Sequence, residues 1–345
     1  MRNKSIPILC ASLAAAGLIF GPRAGAATVN LLNATTDQAA DFYQDFNRAF
    51  AGYWKDKTGD SVNFSQTRGS SSQQADAVVA GQPADVVTLN QGADVDALRT
   101  KGKLVPANWA ARLPNKSVPF VSTVVFVVRA GNPKDIRDWD DLLDTNLTIV
   151  VPNPKISDDG RYSYLAAWGY ALKKSAGDER QAREFVANLF ANVPVLDTGG
   201  QGAAKTFAVY GIGDVLLTLE NEAAPLQERF ATNHLQVVLP RRSIQVENPV
   251  AWVDYNVRGH HTAEVSRAYL EYLYSDAGQE LAAAHFFRPK NQAILARYAT
   301  RYQPAEFFTV DEVAGGWAKA QAVHFADGGV FEQIYRLHHQ HVARL

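Results

Sequence analysis

The sequence predicts an α/β protein of two lobes, each a mixed but mainly parallel sheet flanked by helices, with a ligand cleft between the lobes. Strand-like runs alternate with helical patterns along the chain, the signature of strand–helix–strand units. ATVNLLNAT (27–35) precedes DQAADFYQDFNRAFAGYWKDK (37–57), where Phe42, Phe46, Phe50 and Trp54 recur at helical spacing, and ADVVTL (84–89) precedes a further helical segment. Two other strand-like stretches, PFVSTVVFVVRAGNP (119–133) and SIQVENPVAWVDYNV (243–257), join segments of different character and suit crossings between lobes. They divide the chain into one lobe of residues 27–118 plus 248–345 and another of residues 119–247. Ligands of such folds sit at strand C-termini and helix N-termini, so the strand-to-helix loops are the places to search.

The first 26 residues carry Arg2 and Lys4, an apolar run from Ile6 to Phe20, and the small-residue pattern Ala24-Gly25-Ala26. That is the layout of a cleavable export signal, and the run is too short for an ordinary membrane span. The expected location is therefore the periplasm. Cys10 is the single cysteine and lies inside this leader, without the small residues that precede a lipidated cysteine. The exported part can have neither a disulfide nor a Cys-bound metal. Losing Arg2, Lys4 and Arg23 with the leader leaves 31 basic against 35 acidic residues, a mildly acidic surface with no basic footprint for nucleic acid or membrane. With 47% hydrophobic residues the remainder can bury a large core. The Asn-X-Ser/Thr triplets at Asn33, Asn63 and Asn115 read as chance.

Four loops offer chemistry. NATTDQ (33–38) ends a strand and starts a helix, with Thr36 or Asp37 as cap. QTRGSSSQQADAVVAG (66–81) sets Gly69 and three serines at a helix start, a turn with hydroxyl and N–H donors suited to an oxyanion; it lacks the second glycine of a nucleophile elbow. NPKISDDGRYSYLAAWGYAL (153–172) predicts Ser157 as N-cap, Asp158 to Gly160 as first turn, and Leu165, Trp168 and Leu172 as a buried stripe. Its aspartates would stabilise the positive helix end by about 0.3–1 kcal/mol each, so self-capping competes here with anion binding. VPVLDTGGQGAAKTFAVYG (193–211) resembles a phosphate loop with Ala204 in place of the glycine before Lys205. Exported compartments hold no ATP pool, which leaves a Gly-rich turn donating to a smaller anion. A tail with His338, His339 and His341 reads as a polar terminus rather than a metal site. No nucleophile, base and orienter share a recognisable signature, and the Asp158-Asp159 pair alone is thin support for a metal-dependent hydrolase.

Together these stretches resemble the periplasmic sulfate/thiosulfate-binding proteins that serve ABC importers. The resemblance is carried by LLNATTD, KDKTGDSVNFSQT (55–67), YLAAWGYAL, NVPVLDTGGQGA, GIGDVLLTLENEA, YLYSDAGQELAA and VDEVAGGWAKAQAVHFADGG. It implies a type II periplasmic-binding fold closing over a dehydrated sulfate held by neutral donors, with no counter-cation, cofactor, metal or catalysis. It further implies a monomer that delivers its ligand to a membrane permease. By motif, the ligand would be held by the N–H of Asp37, by Ser71, by Ser157 with the N–H groups of Asp158 and Asp159, and by the N–H of Gly200.

The chain departs from the family pattern twice. Two positions that are usually glycine are Asp158 and Asp159, between Ile156 and Gly160. Leu219 stands where the family places a tryptophan whose indole donates to sulfate. Two inward carboxylates would oppose a dianion unless they turn outward or Arg161 or Lys155 neutralises them. If they face the cleft, with Leu219 as apolar wall, a ligand with a cationic part such as an amino-sulfonate becomes the alternative.

Overall fold

The structure is a computed structural model that describes residues 27–342; the expected leader lies outside the described residues. Among the described residues, twelve strands form two sheets. β1 (Thr28–Thr36), β2 (Ser61–Gly69), β3 (Val86–Thr88) and β10 (Val250–Trp252) make the first, in the order β10-β3-β1-β2, with β1 parallel to both neighbours and β10 antiparallel to β3. The second holds β4 (Phe120–Val128), β5 (Ile149–Pro152), β6 (Leu196–Asp197), β7 (Val215–Leu219), β8 (Gln236–Val238), β9 (Arg242–Glu247), β11 (Arg288–Pro289) and β12 (Glu306–Phe308). β5 runs parallel to β6 and β7, whereas β4 is antiparallel to β7, β8, β9 and β11, so this sheet is more mixed than alternation alone predicts.

The two linking stretches are crossings. β9 belongs to the second sheet and β10, three residues on, to the first. β4 begins in one core and ends in the other: Phe120 packs with Phe42 and Phe287, while Val124, Phe126 and Val128 pack with Trp139 and Leu165. The predicted aromatic face is the heart of the first core, with Phe42, Phe46, Phe50 and Trp54 all buried on the helix Ala40–Thr58. A period near 3.6 placed these side chains on one face, and burying them accounts for the helix.

The division of the tail differs from expectation. Residues from Ala263 to Phe287 pack on the first core, but β12 pairs with β9, and Phe308, Val310, Phe325, Phe331 and Ile334 join the core of the second sheet. The chain after Glu306 therefore braces the lobe of the middle segment rather than the lobe of its own neighbours in sequence. The helix Asp158–Lys174 explains the attraction: it is buried almost all round, and Gly169 leaves the space in which the Phe308 ring lies. A Cβ on Gly169 would stand 2.6 Å from Cζ and 2.9 Å from Cδ2 of Phe308. No described helix is long and apolar enough to cross a membrane.

Because the ring has no room to retreat, Gly169→Ala should cost about 1–3 kcal/mol through overpacking. Urea unfolding would read this as a lower midpoint. Adding Phe308→Leu should cost less than the two single losses summed; strict additivity would contradict the contact.

Candidate functional site

Five strand C-termini feed loops or helices that open on one cavity of about 230 Å³. β1 runs into the short 3-10 turn Asp37–Ala39, and β2 ends at Gly69 before the helix Ser71–Val79. β5 leads to the helix Asp158–Lys174, β6 to the helix Gly200–Ala208, and β7 to the helix Glu220–Arg229. The lining includes Asp37, Gln38, Ser70, Ser157, Asp158, Asp159, Gly200 and Glu222, and no Lys, Arg or His. The space equals several water volumes of about 30 Å³ each, enough for a tetrahedral oxyanion.

Local chemistry fixes the helix starts. Ser70 caps its helix by a reciprocal box: its Oγ accepts from Gln73 N at 3.2 Å, and its own N–H donates to Gln73 Oε1 at 3.0 Å. Ser157 is the N-cap the sequence predicts, with Oγ accepting from Gly160 N at 3.3 Å. Gly160 must remain glycine, since a Cβ there would lie 2.7 Å from Asn153 C and 2.8 Å from Pro154 N. The Gly200 helix begins after Gly199, and Lys205 lies over the Tyr210 ring, 5.3 Å from its centroid, which is not the posture of a phosphate-loop lysine.

The two aspartates point inward, and both reach across the cleft. Asp158 Oδ2 accepts from Ser71 N at 2.6 Å, and Asp159 Oδ1 accepts from Gln38 Nε2. Asp159 Oδ2 also lies against Gly200, whose N–H favours the charged form of the carboxyl. Thus the N–H at one helix start, expected to face a ligand, is held by a carboxyl oxygen of the protein, and a second carboxyl covers the start of another helix. Ser71 Oγ accepts from Asn90 N at 3.3 Å, while the Ser71 N–H donates to Asp158. Tyr162 Oη donates to Asn90 O at 2.7 Å, a further tie between the lobes.

Neither expected neutraliser touches the pair. Arg161 donates to Ser72 Oγ at 3.2 Å and Gln91 Oε1 at 3.4 Å beside a separate cavity, and Lys155 pairs with Asp327 and Glu332. Leu219 is not a cleft wall either: it is buried in the second core at the end of β7 and is absent from the cavity lining. Two residues the loop reading passed over complete the site. Gln38 follows Asp37 and bridges Asn90 to Asp159. Glu222, held by Thr218 Oγ1 at 3.0 Å, lies close enough to Gly200 that a Cβ there would meet its carboxyl oxygens at 3.1 and 3.2 Å. The helix start ENEA after β7 is the signal that could have pointed to Glu222.

Burial raises these acids. Asp158 is pushed up to about 8, chiefly by burial and then by the charge of Asp159, against the opposing Ser71 N–H and the charge of Arg161. Burial, followed by the charge of Glu222, lifts Asp159 well above the ordinary range although Gln38 and the Gly200 N–H hold it down. Glu222 rises to about 7, again mainly by burial. Among the described residues no cluster of three His, Cys, Asp or Glu side chains is placed to hold a metal ion. Because the folded acids bind protons more tightly than the unfolded ones, the stability that these three contribute is fully present below the ordinary carboxyl range of about 4 and is lost as pH rises through it. The loss should continue to about pH 8, where Asp158 ionises. Thermal unfolding without added anion should show this fall, and Asp158→Asn with Asp159→Asn should flatten it; an unchanged slope would contradict the assignment.

Comparison with known proteins places this geometry. The profile of bacterial extracellular solute-binding proteins matches residues 35–288. The thiosulfate-binding protein of Pseudomonas aeruginosa is 50% identical over 328 residues, covering 95% of this chain and 98% of that protein. The sulfate-binding protein of Salmonella typhimurium is 46% identical over 306 residues, covering 89% of this chain and 93% of its relative. Among solved structures, the sulfate-binding protein SubI of Mycobacterium tuberculosis superposes with a TM-score of 0.74 at 32% identity, over 85% of this chain and 98% of that one. The fold is thus the two-lobed one of periplasmic binding proteins, and the chain belongs to the bacterial extracellular solute-binding proteins as a member of the sulfate/thiosulfate-binding protein family.

Proposed function

We propose that the protein captures sulfate or thiosulfate between its lobes and hands it to the membrane permease of an ABC importer, acting as an exported monomer without catalysis. The observation that carries this reading is the convergence of helix N-termini at Ser70, at Asp158 and Asp159, and at Gly200 on one polar cavity. Oriented N–H groups replace hydration of an oxyanion without a counter-ion. The donor set is Asp37 N–H, Ser71 N–H, Ser157 with the first-turn amides of Asp158 and Asp159, and Gly200 N–H, with Gln38 as an additional side-chain donor. Relatives named for sulfate and for thiosulfate support the ligand class.

The carboxyls set the cost. One carboxylate about 4 Å from one ligand charge at an effective dielectric near 20 opposes binding by about 4 kcal/mol. Asp158 also occupies the Ser71 N–H and Asp159 lies over Gly200, so an incoming oxyanion must displace both carboxyls. Binding weaker than that of glycine-bearing relatives follows. The same acidic lining, free of cations, favours as a second reading a sulfonate that carries an amine.

Calorimetry with sulfate, thiosulfate and aminoalkylsulfonates separates the readings. Heat with sulfate or thiosulfate is expected; heat with amine-bearing sulfonates alone would overturn the first reading. Asp158→Gly with Asp159→Gly should tighten sulfate binding, by up to about a thousandfold for a charged carboxylate removed from the ligand. An unchanged affinity would mean that the carboxyls never meet the ligand.

A further inference from the structure

We propose that Asp158, Asp159 and Glu222 make anion capture proton-coupled: the oxyanion enters the cleft together with protons that these carboxyls take up from solvent. The inference rests on the oxyanion reading above and adds a regulation of that same site. Its basis is geometric. Of the amides an oxyanion needs, that of Ser71 is held by Asp158, and Asp159 lies over Gly200 with Glu222 against the same side of that glycine. A dianion that takes these donors leaves two displaced carboxyls and Glu222 in one cavity with it.

Among the groups around the cluster the acids outnumber the cation that acts on it, Arg161. Asp37 faces it from the end of β1, and Asp94 faces Asp158 from the helix Gly92–Thr100 beyond Ser71 and Ser72. The helix Ser71–Val79 contributes Ser71 N–H, the turn after β1 contributes Gln38, and Thr218 bonds Glu222 from β7. The nearest cation, Arg161, sits one turn along from Asp158 and is bonded to Ser72, Gln91 and the carbonyls of Pro154 and Lys155. Arg161, engaged by those partners, is one positive charge against several acids and the ligand, so protons are the further countercharge. A carboxyl in its acid form also becomes an O–H donor, which restores a neutral donor to the ligand. No covalent bond changes: the balance is anion plus protons on one side, and the complex with protonated carboxyls on the other.

Proton coupling has a thermodynamic signature. Each coupled proton weakens affinity by up to about tenfold per pH unit above the carboxyl's titration range, and leaves affinity flat below it. Calorimetry of the exported protein with sodium thiosulfate and sodium sulfate, from about pH 5.5 to about pH 8.5 at fixed ionic strength, reads the affinity. Repeating it in two buffers of different ionisation enthalpy reads the protons taken up. The expected result is at least about a tenfold loss of affinity over that range with net proton uptake near neutral pH. Asp158→Asn with Asp159→Asn, and separately Glu222→Gln, should reduce both slope and uptake. Pairing each with a thermal unfolding curve separates misfolded protein from lost coupling, and the unsubstituted protein alone suffices if a variant does not fold. Affinity independent of pH with no proton exchange would overturn the proposal and leave the oxyanion reading standing. A pH slope that persists unchanged in both variants would also overturn it. No heat with either anion at any pH, in the protein or its variants, would overturn the oxyanion reading and the coupling with it.

Discussion

The bond from the Ser71 N–H to the Asp158 carboxyl is the constraint around which the rest of the site is arranged. It joins a helix start on the first sheet to a helix start on the second, and Gln38 to Asp159 repeats the connection one residue further on. A binding protein of this shape closes because something bridges the donors of both lobes. Here side chains of the protein provide a bridge of the same chemical kind, oxygen anions or their acid forms on helix-end amides. The electrostatic character of the cavity follows from this substitution: the donors are those of an anion site, but the lining is acidic.

Burial turns the arrangement into a balance. A carboxylate on an exposed helix end would stabilise the helix cheaply, as Ser-Asp-Asp at a helix start suggests. Asp158 and Asp159 are instead buried, and so is the neighbouring Glu222, which shifts each toward its neutral form. The N–H groups of Ser71, Gly200 and Gln38 oppose that shift but do not cancel it. Charge in this cavity therefore depends on pH in a way it would not with glycines at 158 and 159.

Much of this was legible along the chain. The spacing of Phe42, Phe46, Phe50 and Trp54 specified a buried helix face, and Ser157 with its first-turn acids specified a cap, because both are set by residues within a few positions of one another. The family-level resemblance named the loops that converge. What could not be read was whatever depends on long-range approach. Phe308 meets Gly169 across 139 positions, which draws the tail onto the second lobe. Gln38 reaches Asp159 across 121 positions. Leu219 follows the opposite course: a position expected at the cleft is withdrawn into the core, where only packing decides.

The central claim is that Asp158 and Asp159 hold donors across the cleft, the backbone N–H of Ser71 and the side-chain amide of Gln38, and the amide protons of Ser71 and Gln38 report on it directly. Nuclear magnetic resonance of the labelled protein without added anion should find both amides protected from solvent exchange. The Ser71 amide shift should follow a titration near pH 8, the value to which Asp158 is pushed, and lose it in Asp158→Asn. Amides that exchange freely, with shifts unmoved by pH or by the substitution, would contradict the account.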